Sequence, residues 1–127
     1  MREIRFRGKR INNGEWIEGF YLVAAGMAFI SAFAVREPVA VIPETVGQFT
    51  GLLDKNGKDI YENDICTVTQ KYFNIKDEKT KVIFKDGCFC FQFGFSSDYV
   101  KTYNAWDAES VEVIGNIHDH PRLLEVS

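Results

Sequence analysis

The chain has 127 residues, the size of one domain that can close a hydrophobic core without disulfide or metal staples. Hydrophobic residues make up 46% and charged residues 26%, which excludes a disordered or fibrous chain. The net charge is -3 but unevenly spread: Arg2, Arg5, Arg7, Lys9 and Arg10 face only Glu3 in the opening segment, so the rest carries 10 basic and 17 acidic groups.

The opening alternates Ile4 and Phe6 with Arg5 and Arg7, the period of a strand with one wet face. Asn12-Asn13-Gly14 follows and fits a two-residue hairpin turn, because Asn-Gly tolerates positive φ. Glu15 to Val23 is then the returning strand, with Trp16 and Phe20 on one face. From Tyr21 to Val35 the chain is apolar, but it is shorter than the roughly 20 residues of a membrane helix and contains Gly26 and Ser31. The expectation is extended structure broken near Gly26, serving as core or as a subunit interface.

Val39 to Ile42 reads as a short strand between Pro38 and Pro43. Ile65 to Lys71 and Lys81 to Lys85 read as strands separated by a charged loop holding Lys76-Asp77-Glu78-Lys79. Asp86-Gly87 signals a hairpin, from which Cys88 to Phe95 returns, and Val111 to Ile117 is the last strand. A helical turn fits only between Tyr103 and Ser110 or after Pro121. With 11 Phe and 5 Tyr, this even spacing of short strands predicts an all-β barrel or roll.

Asp54-Lys55-Asn56-Gly57-Lys58-Asp59-Ile60-Tyr61-Glu62-Asn63-Asp64-Ile65 has the outline of a calcium loop. An EF-hand counted from Asp54 needs an oxygen ligand at Lys58, Gly at Asp59 and a bidentate carboxylate at Ile65, so the pattern fails three times. The segment reads instead as two turns, at Asn56-Gly57 and at Glu62-Asn63-Asp64, around a short strand. Cys88 and Cys90 share one face of their strand while Phe89, Phe91, Phe93 and Phe95 share the other. A structural zinc needs four ligands, and Cys66 is the only further thiol. His118-Asp119-His120 followed by Pro121 reads as a polar turn, with metal binding as the weaker alternative. The odd cysteine count and the lack of a signal-like opening point to reduced thiols in a cytoplasm. No nucleophile elbow, phosphate loop or dinucleotide motif occurs, so no enzyme, cofactor or metal is expected.

The basic opening strand is the one candidate binding element. With Ile4 and Phe6 inward, Arg5, Arg7 and Lys9 form a ridge about 6 to 7 Å apart, a spacing that can meet successive phosphates. Read structurally, the same charges guard an edge strand against aggregation.

Four blocks resemble the YopX proteins of bacteriophages and prophages: Met1 to Lys9, Gly14-Glu15-Trp16, Pro43 to Leu52 continuing through Ile65, and Val111 to Ile117. The resemblance implies one β domain over residues 1–127. It comprises an N-terminal hairpin region of about 1–44 and an SH3-like barrel of about 45–120, made by a phage gene inside a bacterial cell. It brings no reaction and no catalytic residues, and Leu22 to Val41 matches none of its patterns. The functional expectation is a non-catalytic interaction module that binds a host or phage protein or its own copies, with Ala24 to Val35 buried between subunits. The alternative is nucleic-acid binding through Arg5, Arg7 and Lys9. A hydrolase or metal enzyme using His118 or His120 is a distant third, and no membrane role is expected.

Overall fold

A computed structural model gives the architecture; the structure describes residues 4–32, 35–70, 75–85, 87–96, 99–104 and 110–124. The chain is all-β, and among the described residues helix is limited to single 3-10 turns at Pro43–Thr45 and Pro121–Leu124. Six strands form one antiparallel sheet: β1 (Phe6–Lys9), β2 (Trp16–Ala24), β3 (Met27–Ser31), β4 (Val39–Ala40), β5 (Gly47–Leu53) and β6 (Asp59–Tyr61). Their order is β4-β3-β2-β1-β5-β6. Five form a second sheet: β7 (Asp64–Gln70), β8 (Ile75–Lys85), β9 (Cys88–Ser96), β10 (Tyr99–Asn104) and β11 (Ser110–Asn116), in the order β10-β9-β8-β7-β11. Among the described residues neither sheet closes into a barrel. The chain divides into two compact units, Met1–Gly51 and Leu52–Ser127, with the boundary inside β5.

The first unit is more than a hairpin. Its core is made of Ile17, Ala28, Ile30 and Val41, flanked by Phe6, Ala32, Val35, Val39 and Val46. These side chains converge because residues on a strand alternate sides: β1 sends Phe6 and Gly8 to the core face, and β2 sends Ile17, Gly19 and Tyr21. Phe6 and Tyr21 meet with ring centroids 5.4 Å apart. Thr45 ties its 3-10 turn to the sheet, accepting from the Lys9 amide at 2.9 Å and donating to the Ile42 carbonyl at 2.6 Å.

The β2–β3 connection is a two-residue hairpin at Ala25-Gly26, with φ of +51° and +75°. Positive φ at both central residues is the turn whose twist matches its strands. The break expected near Gly26 is therefore present. At the other end of β2 the expected two-residue turn is corrected: residues 11–14 form a four-residue connection, closed by Arg10 N–H to Glu15 O at 2.9 Å. Asn13 Oδ1 holds it by accepting from the Glu15 amide at 2.9 Å, which is why an Asn-rich stretch suits the longer loop.

Two further expectations about β1 are corrected. It is an interior strand, paired with both β2 and β5, so its charges guard no edge. Ile4 is 60% exposed, because it precedes the paired segment and lies beyond the core that Phe6 reaches.

The second unit has the more aromatic core: Ile60, Cys66, Val68, Val82, Phe89 and Phe91, with Leu52, Val111 and Val113 against it. The alternation expected for Cys88 to Phe91 is present, since Phe89 and Phe91 are 3% and 0% exposed; the side chains of Phe93 and Phe95 lie outside the described residues. Burial of each such large side chain contributes about 1.5 to 3 kcal/mol. The charged loop expected at Lys76 to Lys79 is corrected, because β8 runs through it and pairs with β7 at Val68↔Glu78 and Thr67↔Lys79. Glu78 and Lys79 are exposed while Thr80 is buried, so charge marks solvent exposure and not a loop. β10 occupies Tyr103, where a helical turn was expected, and residues 105–109 of that expectation lie outside the described residues.

Candidate interaction face

One side of the first sheet gathers the candidate binding residues. Antiparallel register sets Arg7 opposite Glu18 and Lys9 opposite Trp16, so Arg5, Arg7 and Lys9 do share the side of β1 turned away from Phe6 and Gly8. They do not stand up as a solvated ridge. The Arg5 guanidinium lies 4.3 Å from the centroid of Phe49, and that of Arg7 lies 4.5 Å from Trp16. Lys9 Nζ approaches the same Trp16 ring at 5.4 Å, and Arg5 also meets Glu18 at 3.3 Å. Each cation is laid on a ring face, where the ring quadrupole attracts it by about 0.5 to 1 kcal/mol at exposed sites. The result is a cation–aromatic ladder, with all three cationic residues half-buried.

The same side of β2 continues through Phe20, Leu22 and Ala24, and cross-strand pairing adds Phe29 opposite Leu22 and Met27 opposite Ala24. Phe20 is 71% exposed and Met27 46%. Leu22, Ala24 and Phe29 line a groove of about 310 Å³ with Glu37 and Pro38 at its rim. Around the hairpin tip, Val23 is 62% exposed as well. Apolar side chains are therefore left in water in the part of the chain where the sequence has its longest apolar run, and the ladder adjoins them. Sequence reasoning found Arg5, Arg7 and Lys9 and singled out the apolar run, but missed Phe49 and Glu37. An aromatic two strands from Trp16 gives no periodic signal before the register is known.

The polar candidates serve the fold of the second unit. Asp54 is buried and spends both carboxylate oxygens on amides: Oδ1 accepts from Asn56 and Lys58, each at 2.9 Å, and Oδ2 from Val113 at 3.0 Å. Burial by itself would raise its pKa, but the Val113, Lys58 and Asn56 amides and the Lys58 charge outweigh it and hold the carboxyl below its ordinary value. Asp64 likewise accepts from the Tyr61 amide at 2.8 Å, and Asn63 takes a positive φ of 72°, so both expected turns are present. The loop is a clamp that joins a turn to β11, with its oxygens turned to the backbone.

Cys88 and Cys90 approach to 3.5 Å between sulfurs, while Cys66 belongs to the core cluster with Phe89 and Phe91, so the three thiols are not gathered. His118, Asp119 and His120 wrap Asn116, whose Oδ1 accepts from the His118 and Asp119 amides at 3.0 and 2.9 Å. His120 Nδ1 accepts from the Asn116 amide at 3.3 Å, which commits that nitrogen to the turn expected there. Among the described residues no three His, Cys, Asp or Glu side chains gather as a metal-ligand set, and no helix is long and apolar enough to cross a membrane.

Comparison with known proteins places these features in one family. The structure is similar to the crystal structure of protein EF1440 from Enterococcus faecalis, with a TM-score of 0.55 and 25% identity over 98% of this chain and 100% of that one. No curated protein matches the chain. The family model described as YopX protein matches residues 6–125, a span that holds every strand of both sheets, and the chain belongs to the YopX family.

Proposed function

We propose that this chain is a phage or prophage accessory protein, a non-catalytic interaction module that acts by binding a protein in the cytoplasm of a bacterial host. The observation that carries the reading is the exposed apolar strip of β2 and β3, with Phe20 71% exposed beside a groove lined by Leu22 and Phe29. Contiguous apolar surface rimmed by polar groups marks interaction sites on soluble proteins. The second unit supports the same reading from the other side, because its Asp54 and Asn116 side chains are spent on backbone amides. An SH3-like organisation of residues 45–120 is part of this proposal. Its support is the run of antiparallel strands β7, β8, β9 and β10 with β11 beside β7, and a solved structure that lacks a barrel-like curvature there would remove it.

Affinity capture from infected cells tests the binding reading. Immobilised wild-type protein is expected to retain a partner that Phe20→Glu does not, and equal retention by both would contradict it. The second reading, polyanion binding by Arg5, Arg7 and Lys9, draws on their common side of β1 and on the adjoining Trp16 and Phe49 rings; basic grooves with aromatic platforms hold single strands. Its signature is a mobility shift of DNA or RNA whose affinity falls with salt at a slope of about -2 to -3 for three phosphate contacts. An unshifted probe at low salt and high protein concentration eliminates it.

A further inference from the structure

The thiols of Cys88 and Cys90 are a reactive pair that the interaction face does not use. They stand two apart on β9, so both side chains leave the same side of the second sheet. Their sulfurs lie 3.5 Å apart, in contact. Cys90 is 7% exposed and Cys88 half-buried, and the Cys90 thiol donates to the Cys88 carbonyl at 3.9 Å. Phe89, between them, joins the core with Phe91 and Cys66, which puts the third thiol on the opposite side of the sheet.

Two thiols in contact can close into a disulfide or share a thiophilic ion, and distances decide between the two. A disulfide needs its sulfurs about 2.0 Å apart and its Cα atoms usually about 5.5 to 6 Å apart. Residues two apart on an extended strand have Cα atoms about 6.6 Å apart, so closure would contract β9. The sheet resists that, because Cys90 pairs with Ile83 on one flank and Asn104 on the other, and Cys88 pairs with Lys85. A metal bridge asks for the reverse. A metal–thiolate bond is about 2.3 Å for zinc and close to that for monovalent copper, so two bonds in line span about 4.6 Å. Side-chain rotation alone opens the sulfurs from 3.5 Å towards that span.

The number of ligands then selects the ion. Among the described residues no third His, Cys, Asp or Glu side chain completes a ligand set, and a structural zinc takes four. Monovalent copper is soft, prefers thiolate and is satisfied by two thiolates in line. Lys81 pairs with Gln92, which sets it on the same side of the sheet at the position diagonal to Cys90, about 7 to 8 Å away. Its charge offsets the single negative charge that two thiolates and a monovalent cation leave.

We infer that Cys88 and Cys90 form a two-coordinate site for a soft monovalent cation of the copper(I) class. Binding displaces the proton of each thiol and changes no oxidation state. The site belongs to the second unit, so its test is separate from that of the β2–β3 strip.

Anaerobic titration of the reduced full chain with Cu(I), held by a colorimetric chelator of known affinity, supplies the test. Wild type is expected to withdraw one ion per chain from the chelator and to release protons as it does so. Cys88→Ser and Cys90→Ala should each weaken uptake at least about 100-fold, the upper end of what even an outer-shell partner costs. Cys66→Ala, which leaves the pair intact, should bind as wild type does. Circular dichroism shows that each variant folds, and Cys88→Ser, at the half-buried position, decides the matter if Cys90→Ala does not fold. Zn(II) should be held at least about 100-fold more weakly than Cu(I), since two thiolates leave half its shell to water. A wild type that leaves Cu(I) on the chelator overturns the inference. So does uptake that survives Cys88→Ser, or uptake of one ion per two chains with a metal-dependent dimer in sedimentation.

Discussion

The two units of the chain place their large apolar residues differently. In Leu52–Ser127 the rings of Phe89 and Phe91 are buried and the nearby carboxylates of Asp54 and Asp64 are bound to amides. In Met1–Gly51 the core is built from smaller side chains, Ile17, Ala28, Ile30 and Val41, while Phe20 and Met27 are left exposed on the other side. The contrast locates the binding chemistry: the second unit builds its core around Phe89 and Phe91 although Phe84 stays 52% exposed, while the first leaves Phe20 and Met27 exposed on the side opposite its core.

Substitutions can break that contrast at several levels. The largest effect is expected at Phe91, which is fully buried: Phe91→Ala should cost about 3 to 5 kcal/mol, read by chemical denaturation. A loss under about 1 kcal/mol would mean that the aromatic core is not what holds the second unit. Next comes Gly19, where an added Cβ would overlap the Ser31 carbonyl oxygen and stand 2.8 Å from the carbonyl carbon. Because backbone cannot swing aside as a flexible side chain does, Gly19→Ala should cost roughly 2 to 3 kcal/mol, visible as a melting temperature lower by several degrees.

Asp54→Asn should cost about 1.5 to 3 kcal/mol near neutral pH, since it removes charge-assisted bonds and turns a donor towards the Val113 amide. The pH dependence follows from the depressed pKa. A carboxyl whose folded pKa lies below its unfolded value contributes fully above the unfolded value and loses that contribution as pH falls through the folded one. The gap between wild type and Asp54→Asn in urea midpoint should therefore be widest near pH 7 and shrink below about pH 4. A gap that stays constant into acid would show that Asp54 acts by shape alone. The smallest effect is a gain: Ala25 holds φ of +51°, a region Asn tolerates better, so Ala25→Asn should raise stability by about 0.5 to 1 kcal/mol.

Much of this architecture was legible in the sequence. Phe89 and Phe91 sit where period-2 alternation put them, and the Ala25-Gly26 and Asn56-Gly57 turns follow from backbone freedom that few residues share. Two misreadings have a common cause. The charge of Lys76 to Lys79 suggests a loop, yet β8 runs through it with Glu78 and Lys79 exposed and Thr80 buried. The charges of β1 suggest an edge for the same reason, although it lies between β2 and β5. Charge reports solvent contact on one side of a strand, and says nothing about hydrogen-bonded neighbours on either flank. The candidate face was half legible: alternation placed Arg5, Arg7 and Lys9 together, but their seats on Phe49 and Trp16 depend on long-range register, which no local pattern encodes.

The central claim is that the ring of Phe20 is surplus to folding and is kept for binding. Thermal melting of Phe20→Glu beside wild type addresses it directly. The account predicts a melting temperature within about 2 °C of wild type, as for a surface substitution. A drop comparable to that of Phe91→Ala would place Phe20 in the core and contradict the account.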